Sequence, residues 1–306
     1  MKRPRIAVVG SLNQDLVVSA ERMPLAGETL TGKSIQYFQG GKGANQAVAC
    51  ARLGAQVDLI GAVGDDAFGR FIVDGLEKIG VSTSNISSHA NTPTGAASIV
   101  HTPQDNSIIV VPGANANLSA ERVEKSAEAI RQADILLVQL EIPLDGVEAA
   151  LRIARSAGVR TILNPAPACS LTPGILACTD YFTPNETEFI FYCNALGQDA
   201  SSLEADWQNA LVEWNRHYGH TVILTRGRDG ATYLQGGRCT TIAAPIVKPL
   251  DTTGAGDCLN GALGFGLASD WSLEQSLRFA VRAASLSVTK FGAQAGMPAF
   301  DEVVDL

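Results

Sequence analysis

The six cysteines, Cys50, Cys169, Cys178, Cys193, Cys239 and Cys258, include no C-x-x-C pair. Scattered over 306 residues, they read as reduced, mostly buried thiols of a cytoplasmic protein, not as a disulfide framework. Histidine is scarce, and no His/Cys cluster has the spacing of a zinc site. The pair His217 and His220 reads as decoration of a polar stretch. Positive charge is in deficit: 23 Lys and Arg against 31 Asp and Glu give a formal charge of −8. Such a balance speaks against a nucleic-acid or membrane surface, although a local basic pocket for a phosphate stays compatible with it. No apolar run approaches the length of a membrane-spanning helix. The run Ile6–Val9, after Met1-Lys2-Arg3-Pro4-Arg5, stops at Gly10 and is too short for a signal peptide. Two nucleotide signatures are missing at the glycine-rich segments. Gly40-Gly41-Lys42-Gly43-Ala44-Asn45 does not have Walker A spacing, and Gly10-Ser11-Leu12-Asn13 stands where a G-x-G-x-x-G would follow a first strand. The second absence argues against a dinucleotide-dependent oxidoreductase.

What is present is a globular composition, 46% hydrophobic, without an internal repeat or an evident linker. The chain is expected to form one α/β domain over residues 1–306. Short apolar runs at Ile6–Val9, Val57–Val63, Ile135–Leu140, Thr161–Leu163, Tyr181–Thr183 and Val222–Leu224 read as strands. Amphipathic segments at Ala44–Leu53, Ala67–Ile79, Ala120–Gln132, Leu144–Ala157 and Leu203–Tyr218 read as helices. Gly54, Gly80 and Gly158 follow three of them, where a C-terminal glycine belongs. The alternation predicts a three-layer α/β sandwich with a mostly parallel central sheet and ligands beyond its carboxyl edge. Thr29–Phe38 and Gly95–Val111 break the alternation. The second reads as a hairpin turning at Gln104-Asp105-Asn106. Together they predict a small β lid, about 14–40 and 94–112, with glycine-rich joints at Gly40-Gly41 and Gly113.

The chemistry concentrates in Asp251-Thr252-Thr253-Gly254-Ala255-Gly256-Asp257, which leads into an apolar helical segment. A glycine run at a helix N-terminus presents free N–H groups and the positive end of the dipole to a phosphate. An Asp in that first turn can take a proton from an attacking hydroxyl. The competing reading is a tight turn and a helix cap. Gly40-Gly41-Lys42-Gly43-Ala44-Asn45 offers close backbone approach, an amide and a cation. Asn13 and Asp15 follow the first strand and pair an amide with a carboxylate, a set that can hold vicinal hydroxyls. Asn185 and Glu188, three apart, share a helix face, and a carboxylate there suits hydrated magnesium.

Asp251–Ala262 and Gly40–Ala47 resemble the two signatures of the ribokinase-like (PfkB) family of carbohydrate kinases, in the expected order. The resemblance runs from Val9-Gly10 to about Pro298, and includes Gly27-Glu28-Thr29, Asn164-Pro165-Ala166-Pro167 and Pro184-Asn185-Glu186-Thr187-Glu188. It implies ATP-dependent phosphorylation of a primary sugar hydroxyl, O5 of D-ribose in the first instance. Deoxyribose, a nucleoside or another small sugar are alternatives, as is a sugar-binding regulator without catalysis. It assigns Asp257 as catalytic base, with Gly254, Ala255 and Gly256 as the anion hole. It assigns the sugar to Asn13, Asp15, Gly41, Lys42, Asn45, Glu141 and Asp257. The nucleotide falls to Asn185, Thr225, Gly227, Gly230 and Gly256, and water-mediated Mg2+ to Glu188. A monovalent cation, K+, is implied at Asp251, Thr253, Lys290, Gly292 and Gly296, with Gly296 unable to supply the serine hydroxyl common there. A homodimer through the lid is also implied. The aromatic run Phe189–Tyr192 departs from the family pattern and reads as core packing or a subunit contact.

Overall fold

The computed structural model describes residues 3–104, 106–196 and 207–306. Fourteen strands are described. The large sheet comprises β1 (Arg5–Val9), β4 (Gln56–Gly64), β5 (Val81–Ser82), β6 (Ile86–His89), β9 (Ile135–Gln139), β10 (Arg160–Asn164), β11 (Tyr181–Phe182), β12 (Thr221–Thr225), β13 (Ala231–Gln235) and β14 (Arg238–Ile242). Its order is β14-β13-β12-β11-β10-β9-β1-β4-β5, with β6 also on β4. Pairing is parallel from β12 to β5 and antiparallel only at the β12-β13-β14 end.

The central strands β1 and β9 are almost wholly apolar because both faces are covered, as a parallel sheet requires. Alternation divides them between two cores. Ile6, Val8, Ile135 and Leu137 join one cluster with Val48, Leu263 and Leu277 of helices Lys42–Arg52, Ala255–Ala268 and Leu273–Ser287. Ala7, Val9, Leu136 and Val138 join the other with Val147, Leu151 and Phe189 of helices Leu144–Ala157 and Glu186–Ala195. The result is three layers. The chain leaves β1 towards β4 on one side and later builds β9 and β10 on the other, so the crevice at the carboxyl ends of β1 and β9 is a topological switch point.

A separate four-stranded sheet has the order β3-β2-β7-β8, from β2 (Asn13–Ser19), β3 (Ser34–Gly40), β7 (Gly95–His101) and β8 (Asn106–Val111). Register puts Asp15 opposite Phe38 and Ala97, and Ile99 opposite Ile108. Val17, Ala97 and Ile99 pack with Phe38 on one face. The other face carries exposed Ile35, Tyr37 and Ile109, the last 69% accessible.

Two expectations are corrected, and two segments are delimited. The helix foreseen over Ala120–Gln132 is two, Ala120–Lys125 and Ala127–Arg131, because the Ser126 N–H bonds back only three residues, to Val123, and tightens the turn. Within Thr29–Phe38, read as strand and turn, the strand begins at Ser34. The helix foreseen over Leu203–Tyr218 is described from Trp207, its first four residues lying outside the described residues, as does Asp105 in the predicted turn. His220 is not surface decoration: it is buried, 4% exposed, and stacks on Tyr218. The run Phe189–Tyr192 serves the same aromatic core, with Phe189 and Tyr192 both against Trp214.

Burial holds His220 neutral and pushes it down to about 4. The indole N–H of Trp214 donates to its Nε2 at 2.6 Å, a contact that protonation would abolish. The unfolded chain binds that proton near the ordinary histidine value, so the stabilisation is complete above pH 6.5 and fades as pH falls towards 4. The span corresponds to about 3 kcal/mol. Thermal unfolding at pH 7.5 and 5 should therefore show a steeper loss for wild type than for His220→Gln. Parallel losses in the two proteins would remove His220 as the cause.

Candidate active site

Most polar side chains of interest converge on the crevice between the inner face of the small sheet and the carboxyl edge of the large one. The helix Lys42–Arg52 starts there. Its N-cap Gly41 has φ 88°, and a Cβ would lie 2.7 Å from Asn13 N, so only glycine lets the helix begin against β2. Opposite it, the helix Ala255–Ala268 starts at Gly254 in the left-handed region, φ 76°, where a Cβ would lie 2.8 Å from the Ala293 methyl. Two helix N-termini thus face one another across the crevice.

Asp257, in the first turn of the second helix, is 6% exposed. Asn45 Nδ2 donates to its Oδ2 at 2.9 Å, and Gln46 Nε2 to its Oδ1 at 3.1 Å. Burial raises the pKa of Asp257, while Lys42, Asn45 and Gln46 pull it back. Lys42 is lowered by burial but held above its ordinary value by Asp257, Glu141 and Glu188. Asp15 is pushed up to about 7, first by burial and then by Glu141 and Asp257. One cation therefore serves a cluster of carboxylates.

Asn13 and Asp15 lie two apart on β2 and so share its inner face. Asn13 Oδ1 accepts from Asn115 Nδ2 at 2.8 Å, which turns the Asn13 amide nitrogen to the crevice as a donor. Glu141, just after β9, accepts from Ser11 Oγ at 2.5 Å and from the Lys42 N–H at 3.4 Å. A cavity of about 730 Å³ brings together Asn13, Lys42, Glu141, Glu188, Ile108 and Val110. Asp15 lines a smaller adjoining one of about 280 Å³, with Phe38, Ile99 and Phe291.

A second groove of about 450 Å³ continues past Asp257 along Gly254–Gly256, Asn185, Glu188, Thr225 and Gly227. Asn185 caps the helix Glu186–Ala195, its Oδ1 accepting from Glu188 N and the Glu188 carboxylate accepting from Asn185 N, each at 2.8 Å. Burial raises the pKa of Glu188, partly countered by that N–H and by Lys42. The groove leads to an apolar slot of about 580 Å³ between Gly227–Gly230 and Ala244, Ile246, Leu259, Val281 and Val288. That slot has the apolar character for a base; Gly227, Gly230 and Leu259 stand in segments the sequence had singled out, whereas Ala244, Ile246, Val281 and Val288 lie outside them.

The loop residues group less tightly. Asp251 accepts from Thr253 N at 2.9 Å and Gly292 N at 2.8 Å, joining two loops. Lys290 turns away to Glu302 at 3.0 Å. A side chain at Gly296 would meet the Ser287 carbonyl at 2.3 Å. Sequence reasoning also passed over Gln46, Ser11, Asn115 and Asn164. Gln46, Ser11 and Asn164 stand inside quoted motifs; only their burial reveals their use.

A buried carboxylate in the first turn of a glycine-started helix, between a polyhydroxyl-sized cavity and a phosphate-sized groove, defines an α/β phosphotransferase. The model of the pfkB family of carbohydrate kinases matches residues 3–299, and the chain belongs to that family. It is a kinase that transfers a phosphoryl group to a sugar hydroxyl. A ribokinase of Bacillus subtilis is 42% identical over 302 residues, covering 98% of each chain. A deoxyribokinase of Salmonella typhi is 33% identical over 299 residues, covering 97% of this chain and 96% of its own. The structure of an Arabidopsis thaliana ribokinase complexed with ribose and ATP superposes with a TM-score of 0.90 at 34% identity, covering 99% of this chain and 98% of that one.

Proposed function

We propose that the protein is an ATP-dependent kinase phosphorylating D-ribose at O5, with Asp257 as general base. The observation that carries this is the pair of amide donors, Asn45 and Gln46, held on the buried carboxylate of Asp257 beside the crevice. Ribose sits where the larger cavity meets the smaller one lined by Asp15, its hydroxyls read by Asn13, Asp15, Gly41, Lys42, Asn45 and Glu141. ATP lies along the groove, its phosphates near Asn185, Thr225 and Gly227 and its base in the apolar slot beside Gly230. Asp257 takes the proton of the attacking hydroxyl as O5 bonds to the γ-phosphorus and the bond to ADP breaks. The amides of Gly254, Ala255 and Gly256 face the transferred group, although Ala255 N–H here donates to Thr252 O at 3.3 Å and must turn to contribute.

A single carboxylate, Glu188, fits magnesium held through water, since Mg2+ keeps most of its hydration shell. The metal would neutralise phosphate charge. Asp251, with one N–H on each oxygen, retains lone pairs for a monovalent cation such as K+ beside Thr253 and Gly292. The Lys290 and Gly296 positions would contribute backbone only. The small sheet, residues 14–40 and 94–112, acts as a lid on a chain that is otherwise one domain over 1–306. Its outer face of Ile35, Tyr37 and Ile109 fits a second copy in a homodimer. None of the six cysteines forms a disulfide, and three are buried, which suits a cytoplasmic setting.

Product identification tests the reading: phosphorus coupling to the C5 protons is expected, and phosphate on another carbon contradicts it. The elevated Asp15 supplies a pH dependence. Below about 7 its carboxyl is protonated and cannot accept from two sugar hydroxyls. The KM for sugar should rise about tenfold from pH 8 to pH 6, the change in ionised fraction for such a group. A flat KM over that range would contradict the assignment of Asp15.

A further inference from the structure

Two chains of side-chain amides end on the carboxylate of Asp257. On one side Gln294 Nε2 donates to Asn45 Oδ1 at 3.2 Å, and Asn45 Nδ2 donates to Asp257 Oδ2. On the other, Gln139 Nε2 donates to Gln46 Oε1 at 2.7 Å. Gln46 Nε2 then donates both to Asp257 Oδ1 and to Asn164 Oδ1, the latter at 3.2 Å. Gln46 and Gln139 are fully buried.

The direction of the second chain is forced by its end. An ionised carboxylate only accepts, so Gln46 must turn its NH2 towards it. Its oxygen then needs a donor, and Gln139 supplies one. The Gln139 oxygen is left buried without a partner, pressed on Gly10 so closely that a Cβ there would lie 2.1 Å away. Turning Gln139 over would set oxygen against oxygen. An unpaired buried acceptor is thus kept in a molecule that satisfies nearly all others, and what it secures is the orientation of Gln46.

We propose that Gln46 is a positioning residue for Asp257, its amide locked by Gln139 and Asn164 so that the carboxylate stays ionised and fixed towards the acceptor hydroxyl. This rests on Asp257 being the base. The charged groups around Asp257 are Lys42 from the same helix as Gln46, Glu141 after β9, Asp15 on β2 and Glu188 on the helix Glu186–Ala195. Lys42 alone among them favours ionisation, so the neutral donors Asn45 and Gln46 carry part of that task.

The test is single-turnover phosphoryl transfer against pH for Gln46→Met and Gln139→Met, with Asp257→Asn alongside. Gln46→Met should lose about tenfold to a hundredfold in rate, with KM for sugar and ATP within about threefold of wild type. Its acid limb should move up by about one pH unit, because a donor to the charged form is gone. Gln139→Met should shift the limb the same way and less, and it serves alone if Gln46→Met does not fold. A slower reaction with an unmoved acid limb, or raised KM at an unchanged rate, overturns the role of Gln46. Near-normal turnover in Asp257→Asn overturns the base assignment instead, so the two failures are separable.

Discussion

Asp257→Asn should lower kcat by roughly two to four orders of magnitude, the scale on which a general base acts. The amide side chain has the same shape and stays between Asn45 and Gln46, but it no longer accepts a proton. Sugar binding should change far less, because Asn13, Lys42 and Glu141 line the larger cavity from other elements. Equilibrium binding of ribose, measured beside the steady-state rate, separates the two quantities. A variant that keeps a near-normal kcat would remove Asp257 from the mechanism, and one that loses binding in proportion would make it a sugar ligand only.

The second large effect concerns the sugar itself. Asn13 spends its oxygen on Asn115, so it meets the substrate only as a donor. Facing the 2-hydroxyl of ribose it is satisfied; facing deoxyribose it keeps an unmet N–H in a closed site. Such a loss costs on the order of 1–3 kcal/mol, roughly tenfold to a hundredfold in kcat/KM. Wild type should prefer ribose by about that factor. Asn13→Met should erase most of the preference, falling on ribose more than on deoxyribose, since methionine has no hydrogen bond to lose. A wild-type preference for deoxyribose would contradict this placement of Asn13.

The parallel core of the fold was legible because its central strands are mostly apolar runs bounded by glycines and amphipathic helices. Ile6–Val9 and Ile135–Leu140 needed no context. The hairpin of β13 and β14 was passed over although Gly236-Gly237, both at positive φ, mark its turn, because its strands are short and half polar. The helix Leu273–Ser287 likewise announced itself through Ser272 and Gln275, a capping box. In the site, the motif residues that carry charge or glycine stood out. Residues that only orient others did not: Asn115 and Gln139 lie outside the signatures, and an amide in a sequence looks the same buried or exposed. His220 failed for the same reason, since its burial depends on Phe182, Trp214 and Tyr218, brought together by the fold.

Sugar-dependent ADP formation by the wild-type protein, with ATP and magnesium over a panel of pentoses, hexoses and nucleosides, tests the account most directly. The account predicts the highest kcat/KM for D-ribose, a lower value for deoxyribose, and little ATP hydrolysis without sugar, as expected of a small sheet that would close only on a filled cavity. A nucleoside as the preferred acceptor, or ADP release indifferent to any sugar, would contradict it.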